Sequence, residues 1–129
     1  MRKIAFRAWD KEKKKWLHSN DFWVKGDGRT FGYKYATGRS TIILENVDLM
    51  QFTGLKDKNG KEIYEGDIIT TTHKRADTFE IIYENKYARF AIDNHYGDTY
   101  DMAQSEFVGN RFEVIGNIWE NEELLSSEE

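Results

Sequence analysis

Five residues, Asp57-Lys58-Asn59-Gly60-Lys61, constrain this chain more than any others. Asn-Gly reverses a backbone where positive φ is needed, and the apolar Leu55 and Ile63 stand on either side to pair across the turn. The pattern predicts a hairpin with a type I′ turn, Asn59 and Gly60 both in the left-handed region. Immediately downstream, Tyr64-Glu65-Gly66-Asp67-Ile68-Ile69 turns again and enters an apolar strand that runs on through Thr70-Thr71-Thr72. Gly before Asp sets such a turn, with the Asp67 carboxylate accepting backbone N–H bonds. Asn59, Gly60, Gly66 and Asp67 are therefore assigned as structural turn residues.

The same period-2 logic recurs along the chain. Residues 3–9 alternate, with Ile4, Phe6 and Ala8 on one face, and the charge run Lys11-Glu12-Lys13-Lys14-Lys15 before Trp16-Leu17 reads as a hairpin with a solvated tip. Residues 40–44 and 47–52 give two more strands. Residues 78–83 and 87–92, joined by Glu84-Asn85-Lys86, form the clearest hairpin, with Phe79, Ile81 and Tyr83 facing Ala88, Phe90 and Ile92. Residues 112–119 are a last strand, and Asn121-Glu122-Glu123-Leu124-Leu125 is an Asn-capped helical turn with acids near its positive end. Residues 22–38 mix aromatics with glycines, which suits short strands and turns but fixes no register.

The expected architecture is mainly β. Residues 65–92 and 112–119 form a small SH3-like barrel or strongly curved antiparallel sheet, with extra N-terminal strands and a short C-terminal helical turn. The expected core is Ile4, Phe6, Leu49, Phe52, Ile63, Ile68, Ile81, Phe90, Val114 and Ile118. With 129 residues and no repeat or composition break, one domain over 1–125 with a disordered tail at 126–129 is the default.

Composition narrows the function classes. Without cysteine there is no disulfide frame, thiolate zinc site or Cys nucleophile, and a reducing cytoplasm is compatible. No apolar run reaches the roughly 20 residues of a membrane helix, so no membrane partner is expected. A charged fraction of 33% with net charge −4 describes a mixed-sign surface, which disfavours free nucleic acid as a partner.

No catalytic, cofactor or metal constellation is read. Asp57-x-Asn59-Gly60-x-Glu62 resembles part of a calcium loop but lacks the full ligand ladder, and the turn explains it. His18, His73 and His95 are far apart in sequence, and the serines sit in no nucleophile elbow. An enzyme would require the fold to bring acids such as Asp67, Asp93 and Asp98 together. The contacts that would serve nucleic acid, cations beside aromatics, are Lys13, Lys14, Lys15, Trp16, Lys74, Arg75, Tyr87 and Arg89.

Three blocks together resemble one family: Phe6-Arg7-Ala8-Trp9-Asp10, the whole of residues 51–69, and Glu113-Val114-Ile115-Gly116-Asn117-Ile118-Trp119-Glu120-Asn121. In order and spacing they are similar to the YopX family of small phage and prophage proteins. The resemblance implies an accessory protein of a phage or prophage in a bacterial cytoplasm, with no catalytic activity attached. The expected function is a non-enzymatic protein-interaction or self-assembling module. It is expected to be a homo-oligomer or to bind a host or phage protein, with nucleic-acid binding as the alternative.

Overall fold

In this proline-free chain glycines take many of the left-handed turn positions, and the computed structural model places twelve short strands among its described residues. It describes residues 2–33, 38, 40–71, 78–102 and 112–125. The strands are β1 Phe6–Asp10, β2 Lys15–Trp16, β3 Phe22–Val24, β4 Thr30–Tyr33, β5 Thr41–Ile43, β6 Val47–Lys56, β7 Glu62–Tyr64, β8 Asp67–Thr71, β9 Thr78–Glu84, β10 Arg89–Asp93, β11 Thr99–Asp101 and β12 Phe112–Asn117. A single 3₁₀ turn, Glu122–Leu125, follows. The fold is mainly β, antiparallel, with one sheet curled into a half-barrel. The chain divides into two compact units, one of Met1–Ile4 with Gln51–Glu129 and the other of Ala5–Met50.

The larger unit is built on the five-stranded sheet β11-β10-β9-β8-β12. Its register puts Ile69 opposite Phe79 and Val114, Ile81 opposite Ile92, and Ile92 opposite Tyr100. Directly paired residues share a face, so one face carries Ile69, Phe79, Ile81, Phe90, Ile92, Tyr100, Phe112 and Val114. That face, closed by Ile63 of β7 and by Met102, is the core. Ile68 is fully buried on the opposite face. There Thr78 Oγ1 donates to the Leu124 carbonyl at 3.1 Å, tying the 3₁₀ turn to the sheet. Ile115 is the extra residue of a bulge between Val114 and Gly116.

Two sequence expectations are corrected here. Ile4 is 57% exposed and lies outside the core, because β1 begins at Phe6 and it is Ala8 and Trp9 that are buried. The Asn-Gly turn is not type I′, since Gly60 has φ of +84° while Asn59 does not enter the left-handed region. Gly60 N–H donates to the Asp57 carbonyl (3.0 Å) and Asp57 N–H to the Lys61 carbonyl (2.8 Å), the pattern of a three-residue loop with a glycine bulge. The hairpin of β9 and β10 keeps the expected apolar face, but its register is shifted by two residues: Tyr83 pairs with Phe90 and Ile81 with Ile92, and Ala88 leaves the ladder for the loop at φ +52°.

In the unit of Ala5–Met50, β1 pairs with β2 in the register Trp9 with Trp16 and Asp10 with Lys15. A separate sheet has the order β3-β4-β5, with Trp23 opposite Phe31 and Phe31 opposite Ile43. Thr30 and Gly32 are buried on its inner face. A Cβ on Gly32 would stand 2.7 Å from Leu44 Cδ1 and 3.1 Å from the Asp21 carbonyl, so only glycine fits there.

Candidate functional site

The turn residues of the middle block are structural in their contacts. Asp57 is buried and its carboxylate accepts three backbone N–H groups, from Asn59 (2.8 Å), Lys61 (2.9 Å) and Val114 (2.9 Å). Burial pushes its pKa up most strongly, but the N–H donors from Val114, Lys61 and Asn59, with the Lys61 charge, outweigh burial and hold the carboxyl below its usual range. Gly66 turns at φ +85°, and Asp67 Oδ2 accepts Tyr64 N–H at 2.8 Å. Glu62 pairs with Lys3 at 2.6 Å. The Asp57 and Glu62 carboxylates that a calcium ion would draw on are engaged with the chain's own donors.

Of the three acids whose convergence an enzyme would need, Asp67 lies on a different face from Asp93. Ile68, Glu80 and Asp93 lie in one row across β8, β9 and β10 and share a face. Asp67, next to Ile68, therefore points to the other face. Asp98 is exposed in the loop that Asn94 closes by accepting the N–H groups of Tyr96 (2.7 Å) and Asp98 (3.2 Å). Among the described residues no three His, Cys, Asp or Glu side chains are grouped as a metal would require. His95 Nε2 sits 2.9 Å from Glu80 Oε1, and His18 Nδ1 accepts Asn20 N–H at 3.4 Å.

The cations and aromatics fall into two groups, one in each unit. In the larger unit Arg89 bonds Glu84 at 2.8 Å, lies 3.9 Å from Asp101 and packs its guanidinium 4.7 Å from the Tyr87 ring. Two carboxylates thus already face its charge. Beside it a cleft of about 650 Å³ is lined by Gln51, Glu65, Tyr83 and Phe90, among others. Glu65 Oε1 accepts Gln51 N–H at 2.8 Å, and burial raises its pKa against the lowering effect of that bond. Lys74 and Arg75 lie outside the described residues.

In the smaller unit the basic hairpin is shaped by its own aspartate. Asp10 Oδ1 accepts the N–H groups of Glu12 (3.0 Å) and Lys13 (2.9 Å), and Lys14 closes the turn at φ +56°. Lys13, Lys15 and Trp16 then line one cleft of about 590 Å³, together with His18, Tyr33 and Leu44. Lys14, exposed at the turn, does not line it. Trp16 meets Trp9 edge to face at 4.9 Å and carries the Arg7 guanidinium 4.5 Å from its ring.

What sequence reasoning missed is the face above this cleft. Trp23, Phe31, Tyr33 and Ile43 share the outer side of the β3-β4-β5 sheet. Trp23 stacks on Phe31 at 6.4 Å and meets Tyr33 at 5.2 Å, and Lys25 and Arg29 reach over Phe31 at 4.9 and 5.6 Å. The aromatics and glycines of residues 22–38 suited short strands, but their partners could be paired only once the register was known.

These features define a small antiparallel β protein with a half-barrel unit and an inserted unit bearing the basic and aromatic surface. The chain belongs to the YopX family, whose model, YopX protein, matches residues 5–126. It is similar to the crystal structure of protein EF1440 from Enterococcus faecalis, with 31% identity, a TM-score of 0.58, and coverage of 97% of this chain and 99% of that one. The crystal structure of protein yopX from Bacillus subtilis is 20% identical, covers both chains completely and has a TM-score of 0.58, a likeness of fold. No curated protein matches the chain. No helix among the described residues is long and apolar enough to cross a membrane.

Proposed function

We propose that this protein is a non-enzymatic module that assembles with itself through the edge of the β3-β4-β5 sheet. The observation that carries the reading is β5, whose residues Thr41, Ile42 and Ile43 are all exposed. Among the described residues the strand has a neighbour on one side only. Edge strands of monomers are usually guarded by charge, proline or a bulge. Thr41-Ile42-Ile43 has none of these.

The partner that fits is a second copy. Leu44 N–H donates to the Thr30 carbonyl at 2.9 Å, and antiparallel pairing alternates, so Gly32 and Ile42 exchange bonds inward while the N–H and C=O groups of Thr41 and Ile43 point outward. Two β5 strands related by a two-fold axis through Ile42 would pair Thr41 of each with Ile43 of the other. All the outward donors and acceptors are then matched, and a strand without charge meets its copy without repulsion.

Light scattering of the full chain across a concentration series tests this. Thr41→Pro removes an outward donor and leaves the bonds from β5 to β4 in place. The expected result is a dimer or larger assembly that dissociates in Thr41→Pro. A monomer at millimolar concentration, or assembly unaffected by the substitution, overturns the reading.

A second reading, nucleic-acid binding, is favoured by the cleft that gathers Lys13, Lys15 and Trp16. Salt-dependent retention on nucleic acid, lost when Lys13, Lys14 and Lys15 are changed to Gln, would support it.

A further inference from the structure

The net charge of −4 conceals an asymmetry between the two units. Ala5–Met50 carries nine Lys and Arg against six Asp and Glu, a net of +3. The rest of the chain carries ten against seventeen, a net of −7. Acidic balance argues against phosphate binding only where it describes the surface concerned, and over the inserted unit its sign is reversed.

On that basic unit the outer face of the β3-β4-β5 sheet is an aromatic row with cations at both ends. Lys25 and Arg29 flank the turn between β3 and β4, held by Lys25 N–H to the Arg29 carbonyl (2.9 Å) and Gly28 N–H to the Lys25 carbonyl (2.8 Å), and the Arg29 guanidinium is paired within the turn with Asp27 at 2.7 Å. Next along the sheet come Trp23 and Phe31, then Tyr33, which is 43% exposed. Tyr33 also lines the cleft of Lys13, Lys15 and Trp16, so the face and the cleft are continuous. Two acids, Asp10 and Asp21, line the cleft beside the lysines, and Asp10 has an oxygen already engaged by two backbone N–H groups.

We infer that this face binds single-stranded nucleic acid, with the bases resting on Trp23 and Tyr33 and the phosphates facing Lys25, Lys13 and Lys15. The inference rests on the nucleic-acid reading above and adds to it the strand state and the residues that contact the bases. Flat side chains on a sheet can receive bases only when those bases are unpaired and free to splay from their neighbours. A duplex offers its phosphates alone to such a face. An acidic polypeptide would satisfy the cations but has nothing to stack.

The test uses the full chain and fluorescein-labelled 20-mers of deoxythymidine and of uridine, followed by anisotropy at several salt concentrations. Both are expected to bind, more tightly than a duplex of the same length, and more weakly as salt rises. Tyr33→Leu is expected to weaken binding about tenfold, and Trp23→Leu with Tyr33→Leu further, whereas Trp23→Phe with Tyr33→Phe stays within about threefold of the parent. The ring-preserving pair and the single change at exposed Tyr33 keep the result readable if the double leucine variant fails to fold. Binding that depends on Lys13, Lys14 and Lys15 but ignores the leucine changes overturns this inference and leaves the nucleic-acid reading standing. Binding of neither 20-mer overturns both. Equal binding of duplex, or equal competition by polyglutamate, also overturns it, since phosphate or carboxylate charge would then suffice.

Discussion

Asp57 Oδ2 accepts the N–H of Val114 at 2.9 Å, joining the hairpin turn to a strand 57 residues further along the chain. Lys58 N–H donates to the Phe112 carbonyl at 2.8 Å beside it, so the turn is sewn to β12 at two points. A local turn signal is thus also a long-range tertiary contact. Asp57→Ala would leave three N–H groups without their acceptor, and the expected loss of stability is roughly 2–4 kcal/mol by urea titration. Asp57→Asn, which keeps one acceptor oxygen, should lose less. Because the folded pKa is lowered, the stabilisation from this carboxylate is present above the unfolded value near 3.8 and is lost as pH falls through the folded value. A stability gap between the parent and Asp57→Asn that stays constant as pH falls through the acid range would contradict this account.

Glu65 has the opposite sign. Burial raises its folded pKa, so its contribution is fully present below the unfolded value of 4.5 and is lost as pH rises through the folded value. Glu65→Gln retains an oxygen for the Gln51 N–H and carries no charge to bury. The expected outcome is a variant whose melting temperature exceeds the parent's at pH 7 and converges with it toward pH 4. Thermal melts across that range, with an unchanged difference at every pH, would refute the assignment.

Gly116 is a glycine because Asn121 occupies the space a side chain would need. An added Cβ would lie 2.6 Å from Asn121 Oδ1 and 2.8 Å from its Cβ. The Asn121 oxygen accepts Asn117 N–H at 3.2 Å, so the residue that opens the 3₁₀ turn also reaches back into β12. Gly116→Ala is expected to cost about 1–3 kcal/mol by overpacking, and Asn121→Gly in the same chain should recover part of that. Strict additivity of the two changes in a double-mutant cycle would show that the close approach is not what fixes the glycine.

Ile81 lies at the centre of the half-barrel core, fully buried, and its carbonyl accepts Gly66 N–H at 2.8 Å. Ile81→Asp buries an unpaired charge, which costs several kcal/mol, and should abolish cooperative unfolding of the half-barrel unit. Loss of the sigmoidal circular-dichroism melt is expected. An unchanged melt would remove the residue from the core.

The half-barrel was legible in sequence because its strands announce themselves locally. Phe79, Ile81 and Tyr83 alternate, Phe90 and Ile92 answer them, and the short connection leaves little freedom of pairing. The basic tip was legible for the same reason, Asp10 and the lysine run being contiguous. The aromatic face was not, because Trp23, Phe31 and Ile43 become neighbours only through pairings across two separate connections.

The Asn-Gly hairpin shows the same division within a single turn. The sequence by itself determined that the chain reverses at Asn59-Gly60, since glycine relieves the steric cost of positive φ there. Tertiary structure decided the kind of turn, because the buried Asp57 carboxylate gathers Asn59, Lys61 and Val114 N–H groups and leaves only Gly60 left-handed. Local sterics set where this chain turns and where its strands run. Which unit carries the positive charge, and which aromatics share a face, depended on contacts between residues that are distant in the chain, and these exist only once it has folded.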